Sequence, residues 1–289
     1  MDTDTAIRAT ATPPHAPLPD AAPPPVSIRP VASLQEFHAC VDLQADVWGP
    51  DFTDIVPASL LQVATYVGGI TLGAFTTQGE LVGFLFGLTG VDKGEIVHWS
   101  HLLGVRDSVR NLGVGRQLKE AQRAELAVRG IPRMSWSFDP LVAKNAYLNL
   151  NRLGARVVEY VPDMYGTTSS PLHFGLATDR LVVSCDTQPP KRTPETFDSP
   201  LGRLAVLTPD PHDGDLRLDK STPPAAFWIE IPSDVRQVIE HAPDAALPWR
   251  ESVREHFQWA LAHAYEVTGI HREPVGSRSF YILRKRDGA

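Results

Sequence analysis

The sequence predicts an α/β chain of the α+β type, with a mixed, mostly antiparallel central sheet flanked by helices and a further α/β segment at the C-terminal end. Two observations carry this. Three apolar runs, ITLGAFTT, LVGFLFGLTG and EIVHWSHLLGV, follow one another between residues 70 and 105. Only turn-forming Gly, Asp and Gln residues and their neighbours separate them, which is the spacing of an antiparallel meander. On both sides of these runs the hydrophobic period changes to three-and-four, as expected of helices packed on a sheet.

Taken in order, VSIRPV reads as a strand, and LQEFHACVDLQADVW and PASLLQVATYV as helices. After the meander, Val114, Leu118, Ala121, Ala124 and Val128 fall along one helical face, and Gly130 with Pro132 supplies the stop. RMSWSF follows as a strand, AKNAYLNLNRL as a short helix ended by Gly154, and ARVVEYV and RLVVSC as further strands. The C-terminal part reads as strand AFWIEIP, helices SDVRQVIEHA and WRESVREHFQWALAHAY, and the strand pair EVTGIHRE and SFYILRK. The second of these helices is amphipathic around Phe257, Ala260, Leu261 and Ala264. It therefore needs a packing partner, and a dimer could supply one as readily as the same chain.

Two breaks in composition divide the chain. Residues 1–25 are rich in Pro, Ala, Thr and Asp, a disordered or extended tail. The Pro-rich stretch 187–200 reads as a linker, leaving 26–186 as one unit and 201–289 as a C-terminal extension. At 289 residues with 43% hydrophobic content, the chain can bury a sizeable core. Its formal net charge of -7 disfavours nucleic acid as a partner. The two cysteines, Cys40 and Cys185, are far apart and form no CxxC, which excludes a disulfide framework and points to a reducing compartment. No charged-then-apolar leader is present, and LVGFLFGL is too short for a membrane span, so a cytoplasmic protein without a membrane partner is expected. His98 and His101 fall on opposite faces of one strand and no HxxxH or HxH occurs, so no metal is expected.

The chemistry concentrates in RDSVRNLGVGRQL. A strand running through this loop into a helix leaves the first helical N–H groups without intrahelical partners. Gly113 and Gly115 allow a ligand close to the backbone, the helix dipole favours an anion, and Arg106, Arg110 and Arg116 add positive charge. A pyrophosphate matches all three features. A Rossmann fingerprint does not fit, because Leu118 stands where the third glycine belongs, and the Walker Gly-Lys-Ser/Thr ending is absent.

What does match is RxxGxG, here Arg110, Gly113 and Gly115, after a strand ending in LLGV. It resembles the acyl-CoA motif of the GNAT superfamily of N-acyltransferases. The order of elements over about residues 26–186 resembles that family too, as does NAYLNLNRLGA after the RMSWSF strand. The resemblance implies that the backbone from Asn111 through Leu112, Gly113, Val114 and Gly115 to Arg116 holds the pyrophosphate. It further implies that Leu103 and Val105 pair with the pantetheine arm through their backbone, and that Asn145 lies near the CoA arm. Acyl-CoA, acetyl or succinyl, would be the co-substrate and a small-molecule amine, for instance an amino acid, the acceptor.

The catalytic positions depart from the family. Trp99 stands where a glutamate is frequent, and Leu150 where a tyrosine acid is usual. Strand alternation places Trp99, His101, Leu103 and Val105 on one face, making His101 the expected base. Tyr147, one helical turn before Leu150, is the expected acid, with Tyr165 as a second candidate. Asp139 is expected to cap the helix that follows it. The missing residues also keep open a non-catalytic acyl-CoA-binding regulatory module.

Overall fold

The computed structural model describes residues 25–50, 52–166, 176–188, 205–209, 216–273 and 278–286. The 1–25 tail, apart from Pro25, and most of the 187–200 linker lie outside them.

The first layer is a seven-stranded sheet of order β1-β2-β3-β4-β5-β7-β6. Its strands are β1 (Ser27–Pro30), β2 (Ile70–Phe75), β3 (Leu81–Asp92), β4 (Glu95–Val105), β5 (Arg133–Phe138), β6 (Arg156–Val161) and β7 (Arg180–Asp186). All neighbours are antiparallel except β4 and β5, as the meander and its crossover through a helix require. Helices α1 (Leu34–Trp48) and α2 (Ala58–Tyr66) cover one face and α3 (Val114–Val128) the other. Ser33 starts α1 with a capping box: its hydroxyl accepts from the Glu36 N–H at 3.2 Å while the Glu36 carboxylate accepts from Ser33 N–H. A short helix α4 (Ala143–Ala146) continues as a π-helical stretch, Tyr147–Arg152, on the α3 side.

The second layer is a five-stranded sheet of order β11-β12-β10-β8-β9, built from β8 (Ala205–Leu207), β9 (Leu216–Arg217), β10 (Ala226–Pro232), β11 (Tyr265–Arg272) and β12 (Arg278–Lys285). It is accompanied by α5 (Val235–His241) and α6 (Pro243–Ala262). The very short β8 and β9 carry too few residues for periodicity to announce them. The amphipathic face of α6 has its partner within the chain: Val253, Phe257 and Ala260 join a single core with Trp136, Leu150, Tyr160 and Leu181 of the first layer. Tyr160 stacks on Phe257 with centroids 5.6 Å apart.

Charged groups fasten the same contact. The Arg250 guanidinium, only 3% exposed, donates to both Asp139 oxygens at 2.9 and 2.7 Å. Arg254 does the same to Asp179 at 2.8 and 2.5 Å, and the Tyr160 hydroxyl donates to Asp179 at 2.6 Å. Burial pushes the Asp179 carboxyl up, but its bonds to Arg254, Tyr160 and the Asp163 N–H outweigh this and hold it below the ordinary carboxylate value. Asp139 also accepts from the Leu141 N–H at 2.8 Å, so it both ties the turn after β5 and anchors α6.

One expectation about α3 is corrected. Its inward face runs Val114, Leu118, Lys119, Gln122 and Leu126, whereas Ala124 and Val128 are exposed. The stripe proceeds by steps of four after Leu118, where counting apolar residues alone suggested steps of three.

Candidate active site

β4 and β5 run parallel but pair over only His98–Met134 and Trp99–Ser135. Beyond those pairs β5 bonds only to β7 and β4 only to β3, so the two strands part toward their C-terminal ends. On its side away from β3, the stretch of β4 from Ser100 to Val105 therefore has no strand beside it among the described residues.

A bulge sits at the point of parting. Phe86 pairs with Leu102 and Gly87 with Ser100, which leaves His101 as the extra residue. The expected alternation is therefore wrong beyond this point. His98, Ser100, Leu103 and Val105 face α3, while His101 lies on the α1/α2 side with its ring edge-on to Phe86, centroids 6.2 Å apart. Leu103 and Val105 thus do not share a face with His101. His101 is exposed as a residue, yet desolvation around its ring draws its pKa below the ordinary 6.5, leaving a neutral imidazole at neutral pH. On this same side of β5, the Ser137 hydroxyl meets the Tyr165 hydroxyl at 3.1 Å. Tyr147 sits elsewhere: it packs against the core on the α3 side, with Arg152 over its ring at 5.3 Å.

The loop after β4 leads into α3 through two left-handed residues, Asn111 (φ 68) and Gly113 (φ 80). Gly113 is the N-cap and brings no side chain, so no capping bond satisfies the N–H groups of Val114, Gly115 and Arg116. Leu112 is half-buried beside them. The arginines expected to add free charge are each paired. Arg106 bonds Asp46 and the Leu81 carbonyl, Arg110 bonds Asp107 at 2.5 Å, and Arg116 bonds Glu120 at 2.8 Å.

Unpaired positive charge comes from elsewhere. Exposed Lys144, on α4 next to exposed Asn145, has the guanidinium groups of Arg110, Arg272 and Arg236 as its electrostatic neighbours. Its pKa is drawn down first by partial desolvation and then by these three cations, with Asp234 opposing. Among the described residues Lys144, Arg236 and Arg272 form no ion pair. Arg236 and Arg272 belong to the second layer and are brought here because the Asn151 side chain bonds both backbone groups of Ile270, at 3.1 and 3.0 Å. No local pattern in the sequence could reveal this meeting.

Beneath the parting strands lies a buried polar string. His98 Nδ1 pairs with the Thr89 hydroxyl at 3.0 Å and Nε2 with the Gln122 amide nitrogen at 2.9 Å. Gly87 makes room for this contact, since a Cβ there would stand 2.3 Å from His98 Nε2. Burial, then the charges of Lys119 and Arg129, lower the His98 pKa to about 4, so the ring is neutral. Lys119, 3% exposed, donates to the Ser100 hydroxyl at 2.8 Å and places Nζ 4.0 Å from the centre of the Trp136 ring. Trp136 in turn donates to Asn149 Oδ1 at 3.1 Å.

No protein-family model matches the sequence, and no curated protein matches it. Among solved structures, the chain is similar to an acetyltransferase of the GNAT family from Streptococcus pneumoniae, 16% identical, over 56% of this chain and 99% of that one, with a TM-score of 0.46. An N-acetyltransferase from Staphylococcus aureus Mu50 is 13% identical over 56% and 99%, with a TM-score of 0.46. The ribosomal-protein-S18-alanine N-acetyltransferase from Escherichia coli is 16% identical over 57% and 96%, with a TM-score of 0.44.

Proposed function

We propose that the chain is an acyl-CoA-dependent N-acyltransferase acting on a small-molecule amine. One observation carries this reading: β4 and β5 part at a bulge directly before a loop that offers uncapped helical N–H groups. A ligand with a peptide-like arm and a pyrophosphate fits such a site, the arm bonding the free β4 edge at Leu103 and Val105 as an added strand would. The pyrophosphate then lies on the N–H groups from Asn111 to Arg116, and the Lys144, Arg236, Arg272 cluster attracts the remaining phosphate charge. Asn145, beside Lys144, lines the same approach.

Acetyl and succinyl donors both fit this reading. The amine enters from the α1/α2 side, where His101, Ser137 and Tyr165 lie. His101 takes the amine proton as the C–N bond forms, and the thioester C–S bond breaks with its electron pair going to sulfur. Trp136, at 4% exposed, belongs to the core and lines no acceptor pocket.

The test is turnover of acetyl-CoA and succinyl-CoA against a panel of amines and amino acids. The His101→Ala variant is expected to lose about 10²–10⁴-fold in turnover with acetyl-CoA affinity unchanged, the usual weight of a general base. With wild-type protein that binds acetyl-CoA but acylates no amine, the chain is instead a non-catalytic acyl-CoA-binding module.

A further inference from the structure

Lys119 is the group that the fold leaves unexplained. An ammonium has three N–H donors. Among the described residues its one hydrogen-bond partner is the Ser100 hydroxyl, and the face of Trp136 lies below Nζ. Burying a charge without an anion is costly, so a lysine at this depth calls for a reason. Among the described residues the titratable groups around it do not supply one. His98 on β4 is neutral, and Cys185 on β7, whose thiol is pushed up by burial, is uncharged at neutral pH. Arg123, on the next turn of α3, is a further cation near Cys185.

Its position in the sheet is more telling. The β4–β5 ladder ends at Trp99–Ser135, and Ser100 and Trp136 are the next residue on each strand. Lys119 Nζ contacts both, so it occupies the apex of the opening, on the α3 side. An arm that enters between β4 and β5 from their C-terminal ends runs toward that apex.

We propose that Lys119 is the proton donor to the departing CoA sulfur, replacing the side-chain acid that Leu150 cannot provide. This rests on the acyl-CoA reading above. As the C–S bond breaks, the sulfur takes the bonding electron pair and a proton from Lys119 Nζ, giving free thiol and a neutral amine. The proton released from the acceptor by His101 passes to solvent, and Lys119 regains one from solvent after CoA leaves. Burial favours the neutral amine and lowers the Lys119 pKa to about 7, which suits a group that must yield a proton readily.

A pH profile that a merely structural lysine would not shape tests this. Turnover of acetyl-CoA with an acceptor amine is followed from about pH 6 to about pH 9 with wild-type protein and with Lys119→Met. Wild-type turnover is expected to fall about tenfold per pH unit above about pH 7, as Lys119 loses its proton, and the slower variant to lack that fall. The same basic limb in both proteins, or no basic limb in the wild type, would overturn the proposal. Failure of CoA to bind at all would instead sink the acyl-CoA reading, and this proposal with it.

Discussion

Arg250→Ala is expected to destabilise the chain by about 3–5 kcal/mol, the cost of leaving one partner of a buried ion pair alone. The pair is fully formed on geometry: two bonds to Asp139, with the guanidinium 3% exposed. Removing the arginine strands the Asp139 carboxylate near the end of β5, where Arg180 is 3.9 Å away and makes a weaker substitute. It also loosens α6 from the stack of Tyr160 and Phe257, so both layers should be affected. Thermal unfolding followed by circular dichroism should show a midpoint lower by about 10 °C, at the few degrees per kcal/mol usual for chains of this size. Arg250→Met, which keeps the packing of the stem, should fall as far, because the carboxylate rather than the lost volume sets the cost. A change under about 1 kcal/mol would mean that the Arg250–Asp139 pair contributes no more than an exposed ion pair.

Lys119→Met should produce the second large effect, and of opposite sign at neutral pH. Burial lowers the folded-state pKa of Lys119 from 10.5 to about 7. Between those values the unfolded chain holds the proton and the folded chain does not, so wild-type stability rises with pH across that window. Below about pH 7 both states are protonated and the full penalty for the buried charge is present. Methionine fills similar space without charge. The variant should therefore be more stable than wild type at pH 6 by several kcal/mol, and the gap should close at roughly 1.4 kcal/mol per pH unit as pH rises through the window. Urea unfolding of both proteins at matched pH values measures this. Parallel pH curves would show that the folded protein stabilises the Lys119 ammonium as well as water does.

Much of the architecture was readable from residues 26 to 186. The meander strands, α1 with its Ser33 cap, and the turn into α3 depend on local signals: alternation, helical period, and glycine at a left-handed position. The errors have physical causes. Alternation counts residues, and the bulge at His101 inserts one, so each side chain beyond it points opposite to the count. The inward face of α3 was misjudged because Lys119 and Gln122 are polar, and their burial follows from partners on β4 that are distant in sequence. Three arginines near the turn offer charge to a ligand by position, but a sequence does not show that Asp46, Asp107 and Glu120 already bind them. The cations left over, Arg236 and Arg272, come from the C-terminal segment through the docking of β11 on Asn151. The π-helical stretch that holds Asn149 and Asn151 inward likewise leaves no trace in hydrophobic spacing.

The central claim is that the turn at Gly113 and Gly115 holds the phosphates of an acyl-CoA. Calorimetric titration with acetyl-CoA tests it most directly, comparing wild type with Gly115→Asp. A Cβ at Gly115 meets only Leu103 and Val105 side chains, at 3.6 and 3.8 Å, so the variant fits. An acid in the first turn of α3 also suits the helix dipole, so the fold should not suffer. Saturable micromolar binding by the wild type, weakened about 100-fold or more in the variant, is the predicted result, because like charges brought together cost several kcal/mol. Equal binding by both proteins would place the nucleotide elsewhere, and absence of binding in the wild type would contradict the account at its base.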